Sequence, residues 1–225
     1  MSVALRLALQ EERADELAQR VRRLLGPFTG TESVLDSGCG TGALAYALAP
    51  HVAEVVGVDV NAEYLEAARA NAPENVRFVE GDATSLPFGY GEFDIAACYR
   101  VLHHVRRAEL AVSELARVTR IGGRVFVVDQ LGSVDPLRSL EMDRSERLRD
   151  PTHQRLLPDG DVRGYLDAND LVLISSEVTR ERVDLERRLE LAGISDEERA
   201  KIRGPAPAAP HEIEVGWYVA RKPVQ

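Results

Sequence analysis

The sequence predicts an α/β fold in which a parallel sheet carries helices on both faces. Short apolar runs alternate with amphipathic segments as far as Gln130, and a glycine-rich turn, Gly38-Cys39-Gly40-Thr41-Gly42, joins the first apolar run to a helical pattern. With 225 residues, 44% of them hydrophobic, the chain can bury the core of one domain.

Apolar residues at helical spacing predict a first helix over Leu9–Leu25, with Arg6 just before it and Arg13, Arg20, Arg22 and Arg23 as its solvated face. Apolar runs bounded by turn residues predict strands at Ser33–Asp36, Glu54–Asp59, Val76–Glu80, Phe93–Cys98 and Arg124–Gln130. Amphipathic stretches between them predict helices at Gly42–Leu48, Ala62–Asn71 and Arg106–Thr119. Thr41 and Asn61 stand where N-caps are wanted, and Gly122-Gly123 breaks the chain before the fifth strand. Beyond Gln130 an arginine-rich helical stretch, SLEMDRSERLRDPTHQRLLPDGDVRGYLDAN, precedes a strand-like LVLISSEV and a charged helical segment to about Ala200. A Pro/Ala linker, Gly204 to Pro210, leads to a last strand, EIEVGWYVAR. The expected organisation is one domain over 1–225: a helical cover at 1–30, a ligand-binding core at 31–130, a helical lid at 131–170, and strands with a helix at 171–225.

The formal net charge of −9 disfavours a nucleic-acid partner. No apolar run is long enough to span a membrane, and the N-terminus becomes charged too early for a secretory leader, so a cytoplasmic protein is expected. Cys39 and Cys98 have neither metal-ligand spacing nor a disulfide framework, and no metal is expected. Oligomeric state leaves no mark on the sequence.

A strand-to-helix turn needs glycine where φ is positive or a ligand approaches closely. Gly38-Cys39-Gly40-Thr41-Gly42-Ala43 also satisfies the permissive dinucleotide pattern, with Asp59 about twenty residues further on, so a nicotinamide oxidoreductase is a competing reading. Asp36 argues against it. A carboxylate two residues before the first glycine suits a ligand ammonium or orients the turn, whereas it would repel a pyrophosphate. Further on, FVEGDATSLPF places Asp82 just after the third strand, where its carboxylate and the Ala83 N–H can read an adenine edge.

In order, VLDSGCGTG, VVGVD, VEGDATSLPF, FDIAACYRVLHHV and IGGRVFVVD resemble the successive motifs of class I S-adenosylmethionine-dependent methyltransferases, in particular the small-molecule group that includes the ubiquinone and menaquinone biosynthesis enzymes. The resemblance covers Glu32 to Gln130, and SERLRDPTHQR resembles a segment following the core in some members. It implies a doubly wound, Rossmann-like sheet of seven strands, mostly parallel with the last strand antiparallel. It also implies that Asp36, Gly38 and Gly40 hold the methionine part of S-adenosylmethionine, with Cys98 adding backbone contacts and Cys39 lying inside the loop. Asp59 would take the ribose hydroxyls, Val60 would pack on adenine, and Asp82 with Ala83 would recognise its amino edge. A valine at position 38 would then fill space the cofactor needs.

The reaction expected is methyl transfer to a small-molecule acceptor, leaving S-adenosylhomocysteine. The alternative within the fold is a cofactor-binding homologue with a cyclase or regulatory role. Displacement at a sulfonium methyl needs alignment and exclusion of water above all, and a base only where the acceptor must lose a proton. His103 and His104 follow the fourth strand and Asp129 ends the fifth, its expected neighbour, so one histidine supported by Asp129 is the candidate base. Tyr99 and Arg100 are candidates for touching ligand, His153 reads as a loop residue, and His51 and His211 as surface positions.

Overall fold

Strand β1 (Ser33–Ser37) is the centre of the architecture: β2 (Glu54–Asp59) pairs with one side of it and β4 (Phe93–Tyr99) with the other, both parallel. The computed structural model describes residues 3–184 and 211–224. Among these, seven strands form one sheet in the order β3-β2-β1-β4-β5-β7-β6, completed by β3 (Val76–Glu80), β5 (Thr119–Gln130), β6 (Val172–Val183) and β7 (His211–Arg221). β7 runs antiparallel to both β5 and β6, and the five strands β1 to β5 are parallel. The expected seven-stranded sheet with an antiparallel last strand is the one found.

Both faces of the central strands β1, β2 and β4 are buried, which is why they read as unbroken apolar runs, while β6 at the edge keeps one face exposed. On one face Val34, Val55, Ile95 and Phe126 pack with Leu17, Val21 and Leu25 of α1 (Val3–Leu25), Leu44 and Leu48 of α2 (Ala43–Leu48), and Leu65 of α3 (Ala62–Ala70). On the other, Leu35, Val56, Ala96 and Val125 pack with Val112 and Leu115 of α4 (Ala108–Val118) and Val162 and Leu166 of α6 (Asp159–Asp167). Between β5 and α6 lies α5 (Pro136–Arg149), whose N-cap Asp135 accepts from the N–H groups of Leu137 and Arg138.

Several boundaries differ from expectation. Helix α1 begins at Val3, a turn and a half before Leu9, because its first residues rest on the glycine turn. The arginine-rich stretch forms two helices, separated at Asp150-Pro151 by a turn. β5 starts at Thr119 and contains Gly122-Gly123 as an irregularity, with the pairing to β4 slipping between Phe93 and Ile95. β6 continues to Val183, five residues past the expected strand, because β7 pairs with it throughout. The rest of the charged segment and the Pro/Ala linker lie outside the described residues. Asn61 caps α3 by accepting from the Tyr64 N–H at 3.1 Å. Thr41 does not cap α2: the cap is Gly42 at φ 91°, and Thr41 Oγ1 donates to Gln10 of α1 at 2.7 Å.

Candidate functional site

The strand order reverses at β1, with β2 and β3 laid down to one side of it and β4 and β5 to the other, so the loops at the carboxyl ends of the parallel neighbours β1 and β4 open a crevice there. The glycine turn forms one wall. Gly38, Gly40 and Gly42 have φ of 73°, 54° and 91°. The turn is tied down internally: Gly38 and Cys39 N–H donate to the Val58 carbonyl at 2.7 and 2.9 Å, and Gly40 N–H donates to Asp59 Oδ2 at 2.8 Å. Asp59 Oδ1 accepts from the Asn61 N–H at 2.8 Å, so this one carboxylate links the turn to the start of α3.

Those amides are therefore committed to the protein itself, and the side of the turn that still lacks a partner is Asp36. Its Oδ2 accepts from the Ala45 N–H at 3.0 Å, while Oδ1 is buried with no hydrogen-bond partner, on a residue only 1% exposed. Burial pushes the carboxyl up to about 7 against the Ala45 hydrogen bond, and the Asp59 charge adds to the rise. A buried acceptor left open at a ligand crevice calls for a donor, and a cation satisfies it best.

A matching orphan lies opposite. Arg6 of α1 stands with Nη1 3.3 Å from the point a Cβ on Gly40 would occupy and its guanidinium 4.5 Å over the Tyr64 ring, and its Nε is buried without a partner. Sequence reading assigned Arg6 to a solvated face; only the packing of α1 across the turn reveals it. An open anionic acceptor and an open cationic donor on one turn suit an α-amino acid zwitterion.

The other expected ligand contacts are distributed as follows. Val60 is 65% exposed beside Asp59, and Asp82 is exposed, its Oδ1 taken by the Thr84 N–H and hydroxyl at 2.7 and 2.8 Å. Ala83 packs partly on the α4 face. Cys39 turns its side chain into the core, where a Cβ on Gly57 would come within 2.9 Å of its sulfur; Cys98 points to the α4 face. Burial drives both thiols well above their ordinary range, so neither is a nucleophile. A Cβ on Gly38 would stand 2.6 Å from both Val101 methyls, so Val101 and the glycine's own φ of 73° already require it.

On the far wall β4 and β5 bring the second constellation together. His103 Nδ1 donates to Asp129 Oδ1, and the His103 backbone N–H donates to Oδ2 at 3.1 Å. Burial alone would raise Asp129, yet the His103 charge and hydrogen bond, with two backbone N–H groups, hold it below the usual carboxylate range. With Nδ1 engaged, Nε2 of His103 is the nitrogen left to take a proton. The His104 ring lies 4.1 Å from that of His103, its Nδ1 sharing a hydrogen with Thr152 Oγ1 at 3.0 Å. Burial depresses His104 to about 4, with His103 and Arg6 adding to the effect and Asp150 opposing it. Of the two histidines, His103 is thus the base candidate.

Tyr99 and Arg100 sit at the end of β4. Arg100 adopts φ 58°, unusual for a non-glycine residue, held by its N–H to the Val128 carbonyl at 2.7 Å and by pairing with Glu181 of β6. His153 is not a free loop residue: it is 3% exposed and bonded to Asp143. His51 is half-buried and stacks on Phe28. Among the described residues no group of three or more His, Cys, Asp or Glu is arranged to hold a metal ion, and no helix is long and apolar enough to cross a membrane.

The stretch carrying the turn, Asp59, Asp82 and the histidines matches a family described as a methyltransferase domain over residues 35–127. The chain is 40% identical over 142 residues to the uncharacterized methyltransferase YcgJ of Bacillus subtilis, covering 61% of this chain and 56% of that protein. The crystal structure of YcgJ superposes with a TM-score of 0.82 at 26% identity, covering 94% of this chain and 100% of that one. A ubiquinone biosynthesis O-methyltransferase of Pectobacterium carotovorum is 36% identical over 117 residues, 49% of this chain and 46% of its own. The chain spans about half the length of these curated relatives. The geranyl diphosphate C-methyltransferase of Streptomyces coelicolor, solved with Mg2+, geranyl diphosphate and S-adenosyl-L-homocysteine, shares the fold with a TM-score of 0.66 at 17% identity, over 92% of this chain and 79% of that one.

Proposed function

We propose that this protein transfers the methyl group of S-adenosylmethionine to a small-molecule acceptor. The observation that carries the reading is the buried, unpartnered Oδ1 of Asp36 beside the glycine turn, which the ammonium of an amino-acid ligand satisfies. Support comes from the match to the methyltransferase family and from a neighbour of the same fold solved with S-adenosyl-L-homocysteine.

When bound, the cofactor supplies an electrophilic methyl group whose leaving group, a neutral thioether, needs no proton. Asp36 holds the ammonium and Arg6 the carboxylate of its amino-acid end. Asp59 keeps lone pairs free on both oxygens for the ribose hydroxyls, while Val60, Asp82 and Ala83 form the adenine side. Backbone atoms at Gly38, Gly40 and Cys98 line the crevice, and the Cys39 side chain only fills the core beneath it. Where the acceptor is an oxygen or an acidic carbon, His103 Nε2 takes its proton and Asp129, already ionised, stabilises the imidazolium. Helix α1 and residues 131–170 form the cover that excludes water from the reacting atoms.

A screen with methyl-labelled S-adenosylmethionine against quinol, phenol, polyketide, sugar and amine pools tests the reading through label transfer and appearance of S-adenosylhomocysteine. Calorimetry showing no heat and no thermal shift at millimolar cofactor overturns it. Replacing His103 by Ala, or Asp129 by Asn, should lower turnover by about 10²–10⁴ with cofactor affinity nearly unchanged.

A further inference from the structure

His153 and Asp143 lie outside every motif that contacts the crevice by sequence, yet they meet behind the candidate base. Asp143, on α5, is 6% exposed, and its Oδ1 accepts both from His153 Nε2 and from the Leu156 N–H, each at 2.8 Å. Two buried groups are thereby clasped by one carboxylate oxygen, and the segment from Asp150 to Leu157 is folded back on α5. That segment lies directly over the base. Gln154 and Arg155 N–H donate to the His103 carbonyl at 2.8 and 3.3 Å, and the His153 ring stands 5.8 Å from the His103 ring. Thr152 reaches the neighbouring His104, and its hydroxyl is held in turn by Asp150 at 2.7 Å. His103 is therefore gripped from two sides, by Asp129 through its ring and amide and by the 150–157 segment through its carbonyl.

We propose that His153, clasped by Asp143, is a positioning residue for methyl transfer: it docks the 150–157 segment onto His103, fixing the imidazole and shielding it from water. The proposal rests on His103 being the base. An imidazole that must meet an acceptor proton at hydrogen-bond distance loses efficiency when its backbone anchor loosens, because misplacement by about an ångström costs on the order of 10²-fold in rate. The His103 side chain keeps 13% of its surface open while Asp129 keeps 2%, so the imidazole is the partner that gains from a second anchor. The clasp ties α5 to the segment that holds the His103 carbonyl.

The test measures carbethoxylation of His103 by diethylpyrocarbonate, followed by peptide mass spectrometry on the intact full-length chain, with His51 as the remote control. His153→Ala and Asp143→Ala should raise the His103 labelling rate about tenfold, leave His51 unchanged, and leave the Kd for S-adenosylhomocysteine unchanged. In turnover with labelled S-adenosylmethionine the same variants should lower kcat by about 10- to 100-fold with KM for the cofactor constant. His153→Gln places an amide N–H where imidazole Nε2 was and should restore most of both readouts. Asp143→Asn, which keeps an acceptor for the Leu156 N–H but loses the charge, serves as the milder variant should the alanines fail to fold, and it should fall between. Wild-type labelling and turnover in the His153 and Asp143 variants, with His103→Ala inactive, overturn the positioning role and leave the base in place. Full turnover in His103→Ala removes the base and this proposal together.

Discussion

At Asp36 the fold keeps a carboxyl with one oxygen sealed from water and unpaired, which costs stability whenever the group is ionised. Its folded value, about 7, lies above that of the unfolded chain, 3.8. The stabilising contribution is therefore fully present below pH 4 and is lost as pH rises through about 7. His104 acts with the opposite sign. Its value is depressed from 6.5 to about 4, so its contribution is present above pH 6.5 and is lost as pH falls through about 4. The two slopes oppose each other over the same window, so a bare stability profile hides both and a variant is needed to expose them. Asp36→Asn should raise the stability of the ligand-free protein at pH 8 by about 1–3 kcal/mol in urea melts while weakening S-adenosylhomocysteine by about ten- to a hundredfold in calorimetry. In the wild type that affinity should rise with pH up to about 7 and then level, because the ligand ammonium pairs with the ionised carboxylate; a flat profile would assign the ammonium elsewhere. Gly38 gives a second residue-scale test. Gly38→Ala meets Val101 and a φ of 73°, so it should destabilise by about 1–3 kcal/mol, and adding Val101→Ala should recover the steric part, leaving the strain of positive φ. Strict additivity of the two changes would show that they do not touch.

The element that makes the site is α1. Its buried stripe, Leu17, Val21 and Leu25, shares a core with Val183, Ile213 and Trp217, which seats the helix over β6 and β7. Of the arginines expected to be solvated, Arg22 and Arg23 are exposed, whereas Arg13 and Arg20 are partly buried in a clasp. Arg13 at 3.3 Å and Arg100 both pair with Glu181, Arg23 pairs with Glu177 at 2.6 Å, and Arg20 lies 4.8 Å over the Trp217 ring. The N-terminal half meets the glycine turn and α3, through Gln10 to Thr41 and Arg6 on the turn and Tyr64. We propose that this helix acts as a hinged cover over the crevice. S-adenosylhomocysteine should slow amide exchange in the N-terminal turns of α1 and across 131–170 by about tenfold or more, while the stretch around Val21 stays unchanged. Equal exchange with and without ligand in both regions would show that neither acts as a cover.

For the molecule as a whole, a ligand that binds only the folded state adds about 2.7 kcal/mol at a hundredfold excess over Kd. For a chain of this size that amounts to a rise in Tm of about 5–10 °C. S-adenosylhomocysteine should produce it and NAD should not, because the open acceptor at Asp36 welcomes an ammonium and repels a pyrophosphate. A shift with NAD alone would reinstate the dinucleotide reading of the glycine turn.

The sequence by itself determined the alternation of strands and helices, the place of the glycine turn, and the convergence of His103 with Asp129, because each follows from short-range periodicity plus one rule about parallel sheets. The antiparallel last strand was implied by the resemblance to methyltransferase motifs and by no local pattern. Only the tertiary structure decided which polar atoms remain open. That Gly38, Cys39 and Gly40 spend their amides on Val58 and Asp59 depends on how β1 and β2 align in register, which no local pattern encodes. Arg6 and His153 looked like solvated and loop residues because their spacing carries no period; each acquires its place from an element distant in the chain, the glycine turn for Arg6 and Asp143 of α5 for His153. Burial, not residue type, separates the useful histidine from its neighbour: His104 is pushed out of the physiological range by desolvation, and His103 is kept in place by a carboxylate twenty-six positions away that only the pairing of β4 with β5 brings into contact.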